Sequence, residues 1–287
     1  MMQERFSFKK GNRARSVFRI CNGFFLAITM ICVILPLIKI CVDSIDPTSY
    51  GIRLILHKID FSAYESIARN SFMYKPFLVS VFTTITGTAI GLLLTTMAGY
   101  VIIQQDMPGH KAIVSMIFFT MLFNGGLIPT YLTVKFLGLM NNYLAVIIPV
   151  GLSAYNIILM KSFFETIPPT LFEAAEIDGC SPFSVFWKIV LPLSKPALAS
   201  VGLFIAVSIW NNYMNFILYI PNPDMTNFQV KVRELILSDG VSGTAITVGQ
   251  DMLKSAVIIV VIFPFLLIYP FLQRYFVKGV TVGAVKE

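Results

Sequence analysis

Charge is scarce in this chain: Asp, Glu, Lys and Arg make up 13% of its 287 residues, against about 25% in a soluble domain. That scarcity excludes a water-soluble globule. Histidine is rarer still. The only two, His57 and His110, lie far apart and outside any H-E-x-x-H run, and the four cysteines include no C-x-x-C pair. Neither a zinc site nor a disulfide framework is therefore expected. Cys21, Cys32, Cys41 and Cys180 are read as small apolar fillers, the usual behaviour of free buried cysteine. No G-x-x-x-x-G-K-[ST] run occurs, so no P-loop nucleotide site is expected on this chain.

What is present is apolar length. Hydrophobic residues make up 56% of the chain and the mean hydropathy is +0.77. A bilayer core about 30 Å thick needs roughly 20 apolar residues of helix. Six stretches qualify, near 20–38, 77–103, 112–134, 143–160, 197–220 and 255–273. They predict an all-α membrane protein with six transmembrane helices: a basic tail over 1–19, a membrane domain over 20–277 and a short tail over 278–287. Asn124, Gly125, Gly126 and Pro129 in the third stretch, and Pro149 in the fourth, predict local bends. None of the six contains Asp, Glu or His. This argues against an intramembrane protease, and against an ion-coupled carrier, whose pathway needs ionisable groups at membrane depth.

The pI near 9.2 could suggest nucleic acid, but the charge follows membrane topology instead. Arg5, Lys9, Lys10, Arg13, Arg15 and Arg19 precede the first apolar run, and no small-residue cleavage site follows, so that run is read as a retained span. With the N-terminus inside, segments 1–19, 104–111, 161–196 and 274–287 hold thirteen Lys or Arg against seven Asp or Glu, and the external segments nine against eight. The positive-inside rule favours that orientation. In the second stretch Thr83, Gly87, Gly91, Thr95 and Gly99 recur every four residues, a small-residue stripe expected to pack against helices of the same subunit. Externally, 43–75 and 221–254 are long; the second has an amphipathic stretch over 229–237 and a small-residue loop over 239–243.

Between the fourth and fifth stretches lies a polar helix-turn-helix, residues 170–192. Pro168-Pro169 stops the preceding helix, and Thr170 and Glu173 have capping-box spacing for a new one. Gly179 can take the left-handed conformation that ends it. Ser181-Pro182 opens a second helix as cap and first residue, with Phe183, Phe186 and Trp187 on an apolar face. Pro192 is expected to end it, and Ser194-Lys195-Pro196 to launch the fifth span. On these residues alone, an interfacial helix pair lying on the membrane is the competing reading.

In the fifth stretch Trp210-Asn211-Asn212-Tyr213-Met214-Asn215 would place Asn211 and Asn215 on one helical face, with Tyr213 nearby. Amides and aromatics suit a sugar path, bonding hydroxyls and stacking on ring carbons. They equally suit interhelical clamps, and both readings stand. Asn124, with Tyr131, and Tyr155, with Asn156, are weaker path candidates.

The loop resembles the EAA loop of permease subunits in binding-protein-dependent, ATP-driven importers. Glu173, Ala174, Ala175, Asp178, Gly179, Ile189, Leu191 and Pro192 stand where that motif places them, with Cys180 where alanine is frequent. The whole chain is similar to the smaller permease subunit of carbohydrate importers. Its ending, 274–286, is similar to a branch associated with complex oligosaccharides. The resemblance implies a type I ABC importer permease fold in a bacterial cell membrane, both termini cytoplasmic. It implies Glu173, Ala174, Ala175, Asp178 and Gly179 as the knob that docks on the ATPase. It also implies a second permease subunit, two ATPase subunits or domains carrying ATP and Mg, and an extracellular saccharide-binding protein; no cofactor is expected on this chain. A permease for a non-sugar solute is the alternative.

Overall fold

A computed structural model describes residues 11–48, 54–237, 251–264, 266–267 and 270, and every regular element among them is helical. The loop over 239–243, residues 1–10 of the basic tail, the whole of the tail over 278–287 and the last part of the sixth stretch lie outside the described residues. The chain divides into two compact units, 1–66 with 242–260, and 67–241 with 261–287.

The first unit is dominated by α1 (Gly11–Asp43), which starts well before Ile20, so much of the expected tail is already helical. Pro36 leaves it unbroken, and Lys39 pairs with Asp43 in the last turn. Beyond it Asp46 organises the loop, accepting from Thr48 Oγ1 at 2.6 Å and from the His57 amide at 2.7 Å. These bonds favour the charged form and hold its carboxyl well below the usual carboxylate range. Tyr64, on α2 (Ser62–Arg69), donates its hydroxyl to Ser44.

The second unit is built around α3 (Ser71–Ile103), capped by Asn70, whose Oδ1 accepts from Phe72 N. Its small-residue stripe does pack within the chain. The other elements are α4 (His110–Leu122), α5 (Leu127–Phe136), α6 (Leu144–Gly151), α7 (Ala154–Phe164), α8 (Pro169–Ile177), α9 (Pro182–Val185), α10 (Leu191–Leu193), α11 (Lys195–Trp210), α12 (Met214–Tyr219) and α13 (Phe228–Leu237). A helix over 251–264 follows, of which 251–260 belong to the first unit. Gly87 faces Ile147 of α6 and Ile209 of α11, Gly91 faces the backbone of Gly151, and Gly99 faces Met160 of α7. A Cβ on Gly91 would lie 2.8 Å from the Gly151 carbonyl oxygen. At this crossing two helix backbones touch with no side chain between them, the dispersion contact that small residues permit where lipid supplies no hydrophobic drive.

Fewer uninterrupted spans are present than the six expected. Among the described residues, α1 and α3 are long and apolar enough to cross a bilayer, or up to four spans if each bent helix pair counts as one. The third stretch splits into α4 and α5 at 123–126, where Asn124 Oδ1 accepts from Gly126 N and Gly126 has φ +85°. The fourth bends by 48° between α6 and α7, beyond Pro149. The fifth breaks after Trp210. Both expected bends are therefore found; the fifth is an additional one. The cysteine reading needs correction: all four are exposed and free, so none fills the core.

Candidate functional site

Residues 168–194 form a compact loop whose turns are set locally. α8 begins at Pro169, so Thr170 lies inside it and makes no cap; the expected capping box is absent. Proline at the first position, with φ preset and no N–H to satisfy, starts the helix instead. At the other end Gly179 has φ +71°. Cys180 N donates to Ala175 O at 2.9 Å and Gly179 N to Glu176 O at 3.0 Å. This pair of bonds is a Schellman motif, which satisfies the last carbonyls and requires the left-handed residue.

Ser181 then caps α9, its Oγ accepting from Ser184 N. Helix does not stop at Pro192 as expected. A wide π-turn over Phe186–Val190 precedes it, with Leu191 N bonded to Phe186 O, and α10 runs to Leu193. The residue inserted into that turn makes room for the proline ring, which would otherwise meet the carbonyl four residues back. The chain then bends by 85° into α11, so 182–193 lies crosswise to the fifth helix.

The loop has two faces. Ala175, Val185, Phe186 and Val190 are buried with Tyr100, Met160, Phe164 and Val201 in one apolar cluster. The Tyr100 hydroxyl donates to Pro182 O at 3.0 Å, and its ring lies 5.3 Å from that of Phe186. Outward stand Glu173, Ala174, Glu176, Asp178 and Gly179, with Ile177 86% exposed and Phe183 65% exposed. Ala175 thus sits behind the knob and fastens it to the body. Sequence reasoning missed Ile177, although one large apolar side chain between two carboxylates just before a glycine turn is a legible sign of an exposed tip. The apolar face proposed for the second helix divides: Phe186 is buried, while Phe183 and Trp187 are exposed.

Beside the knob is a cleft of about 630 Å³ lined by Gln104, Asp106, Glu165, Glu173 and Glu176 over a floor that includes Phe164 and Phe172. Glu165 pairs with Lys161 at 2.6 Å.

The path candidates do not form the arrangement expected. Asn211 closes α11 and 211–213 leave the helix, so Asn211 and Asn215 are not successive turns of one face. Asn212 makes the break: its Oδ1 accepts from Asn215 N at 3.0 Å and its carbonyl accepts from Asn227 Nδ2 at 2.6 Å. An asparagine ahead of an apolar run is a helix-cap signal that the sequence displays. Among the described residues no side-chain hydrogen bond from Asn211 or Asn215 clamps another helix. Tyr213 lies in the break, half-buried, and Asn211 beside it is exposed. Asn124 is exposed at the α4–α5 break and Tyr155 is exposed on α7. No described hydrogen bond or ring contact joins either of them to Asn211, Tyr213 or Asn215.

Residues 112–282 match the family described as binding-protein-dependent transport system inner membrane component. The chain is 41% identical over 275 residues to the polygalacturonan/rhamnogalacturonan transport system permease protein YtcP of Bacillus subtilis (strain 168), covering 92% of this chain and 96% of that protein. It is 37% identical over 284 residues to protein LplC of the same organism, with 96% of each covered. A crystal structure of a bacterial ABC transporter involved in the import of the acidic polysaccharide alginate contains a chain that superposes with a TM-score of 0.86 at 31% identity, covering 92% of this chain and 98% of that one. An apolar helical chain whose fold and sequence agree with these over nearly its whole length belongs to the family of inner-membrane components of binding-protein-dependent transport systems.

Proposed function

We propose that this chain is a permease subunit of an ABC importer that takes up an acidic oligosaccharide by ATP-driven alternating access. The observation that carries the reading is the loop at 168–194, a rigid knob fixed to the helical body on one side and bare on the other. Agreement over nearly the full chain with a permease for polygalacturonan and rhamnogalacturonan, and with a transporter for alginate, supports the substrate class. Six spans over 20–277 complete the domain, the bent and broken helices counting with α1 and α3. The knob, Glu173, Ala174, Asp178 and Gly179 with Ile177, docks on an ATPase subunit, and Ala175 anchors it from behind. ATP and Mg belong to that partner, and this chain is not an enzyme. A second permease, two ATPase subunits or domains and an extracellular saccharide-binding protein make up the working unit. Asn211, Tyr213 and Asn215 border the path at the break in the fifth helix, with Asn124 and Tyr155 as outlying members. Both termini are cytoplasmic.

Native Cys180, exposed at the tip of the knob, reports the orientation. In a variant keeping only this cysteine, a membrane-impermeant maleimide is expected to label nothing on intact cells and to label Cys180 once the membrane is opened. Labelling from outside would reverse the topology and remove the knob from the ATPase.

A further inference from the structure

Two cations on α13 stand in different states. Lys231 is buried, its Nζ 2.8 Å from Glu234 Oε2 and 4.1 Å from the centre of the Phe72 ring. Its charge is already matched. Arg233 is exposed, and among the described residues no carboxylate bridges it; its Cζ lies 4.6 Å from the centre of the Tyr213 ring. A cation over a ring is held by the ring's quadrupole and uses none of its N–H donors there. The guanidinium fork therefore remains available for a carboxylate, which it matches bidentately.

The position of this pair is fixed. α13 is fastened to the break in the fifth helix through Asn227 Nδ2 and Asn212 O, and to α3 through Phe228 N, which donates to Ser80 Oγ at 2.8 Å. Tyr213 also packs against the cluster that includes Phe216 and Val230. With one face under the guanidinium and the ring partly buried, little aromatic surface is left for stacking a neutral sugar. The pair offers charge first.

We propose that Arg233, held over Tyr213, reads the carboxylate of a uronate residue as the oligosaccharide enters the path. This assignment rests on the importer reading given above, in which the stretch containing α13 is external.

The test uses the assembled transporter in proteoliposomes, with its binding protein, and compares uptake of a galacturonate trimer with uptake of its methyl ester. The ester keeps the hydroxyls and loses the charge. Arg233→Gln is expected to lower uptake of the acid about tenfold per assembled complex, the loss of one charge-assisted contact, and to leave the ester unchanged. Arg233→Lys, which restores the charge without the fork, should recover part of the acid uptake. Equal losses on acid and ester, or no loss on either, would overturn the assignment while leaving the importer reading intact. A wild-type complex that carries neither compound would overturn the acidic-saccharide reading and the Arg233 assignment together.

Discussion

Replacing Gly179 with valine is expected to uncouple ATP hydrolysis from uptake while the chain still reaches the membrane. Gly179 has φ +71°, and a Cβ there would meet no neighbouring atom, so the penalty is conformational and not steric crowding. Holding a side-chain-bearing residue in a sparsely populated backbone region costs of order 1–3 kcal/mol, and a β-branched residue lies at the unfavourable end. The turn can relieve that strain only by releasing the bonds from Cys180 N to Ala175 O and from Gly179 N to Glu176 O. Ile177, Asp178 and Cys180 would then leave their places at the tip. Each 1.4 kcal/mol lost from docking weakens it about tenfold. Because Gly179 is exposed and Ala175 with Phe186 still fastens the loop, the helical body should survive. Transport and copurification of the ATPase should both fall. Gly179→Asn, which tolerates the left-handed region, should retain most of the activity. Equal loss in both variants would show that the conformation at 179 is not what matters.

Gly91→Ala is expected to be the most damaging single-methyl insertion in the membrane domain. Its Cβ would lie 2.8 Å from Gly151 O and 3.0 Å from Gly151 Cα, atoms of a backbone that cannot rotate away as a side chain can. Overpacking of this kind costs about 1–3 kcal/mol. Here it also pushes on the residue from which the chain bends by 48° into α7, so the displacement travels toward the loop that α7 supports. Gly202→Ala is the control, since its Cβ would meet Leu92 Cδ2 at 3.5 Å, an ordinary contact. Thermal unfolding of the purified complex in detergent should show a clear loss for Gly91→Ala and little change for Gly202→Ala. Equal stability of the two would refute the backbone crossing.

The elements legible in the sequence are those fixed by local chemistry. The left-handed turn at Gly179, the Ser181 cap and the bend at Asn124–Gly126 follow from residues adjacent in the chain. The stripe from Thr83 to Gly99 was legible because its period of four admits only one helical face. What escaped depends on tertiary partners. Ala174 and Ala175 read alike, and only packing against Val185 and Phe186 distinguishes the exposed one from the buried one. The fifth helix read as continuous because asparagine and tyrosine do not by themselves break an apolar helix; the break is held by Asn227, fifteen residues on. Thr170 matched a capping box, but Pro168 and Pro169 had already set the helix start.

The central claim is that the knob at 168–194 transmits ATPase closure to the membrane helices. The most direct measurement is ATP hydrolysis by the purified, reconstituted complex, with and without saccharide-loaded binding protein, in wild type and in a variant with Ile177 and Asp178 replaced by glycine. The account predicts that the ATPase copurifies with wild type and is stimulated by the loaded binding protein, and that the variant keeps its partner permease while losing the ATPase and the stimulation. Undiminished ATPase retention and stimulation in the variant would contradict it.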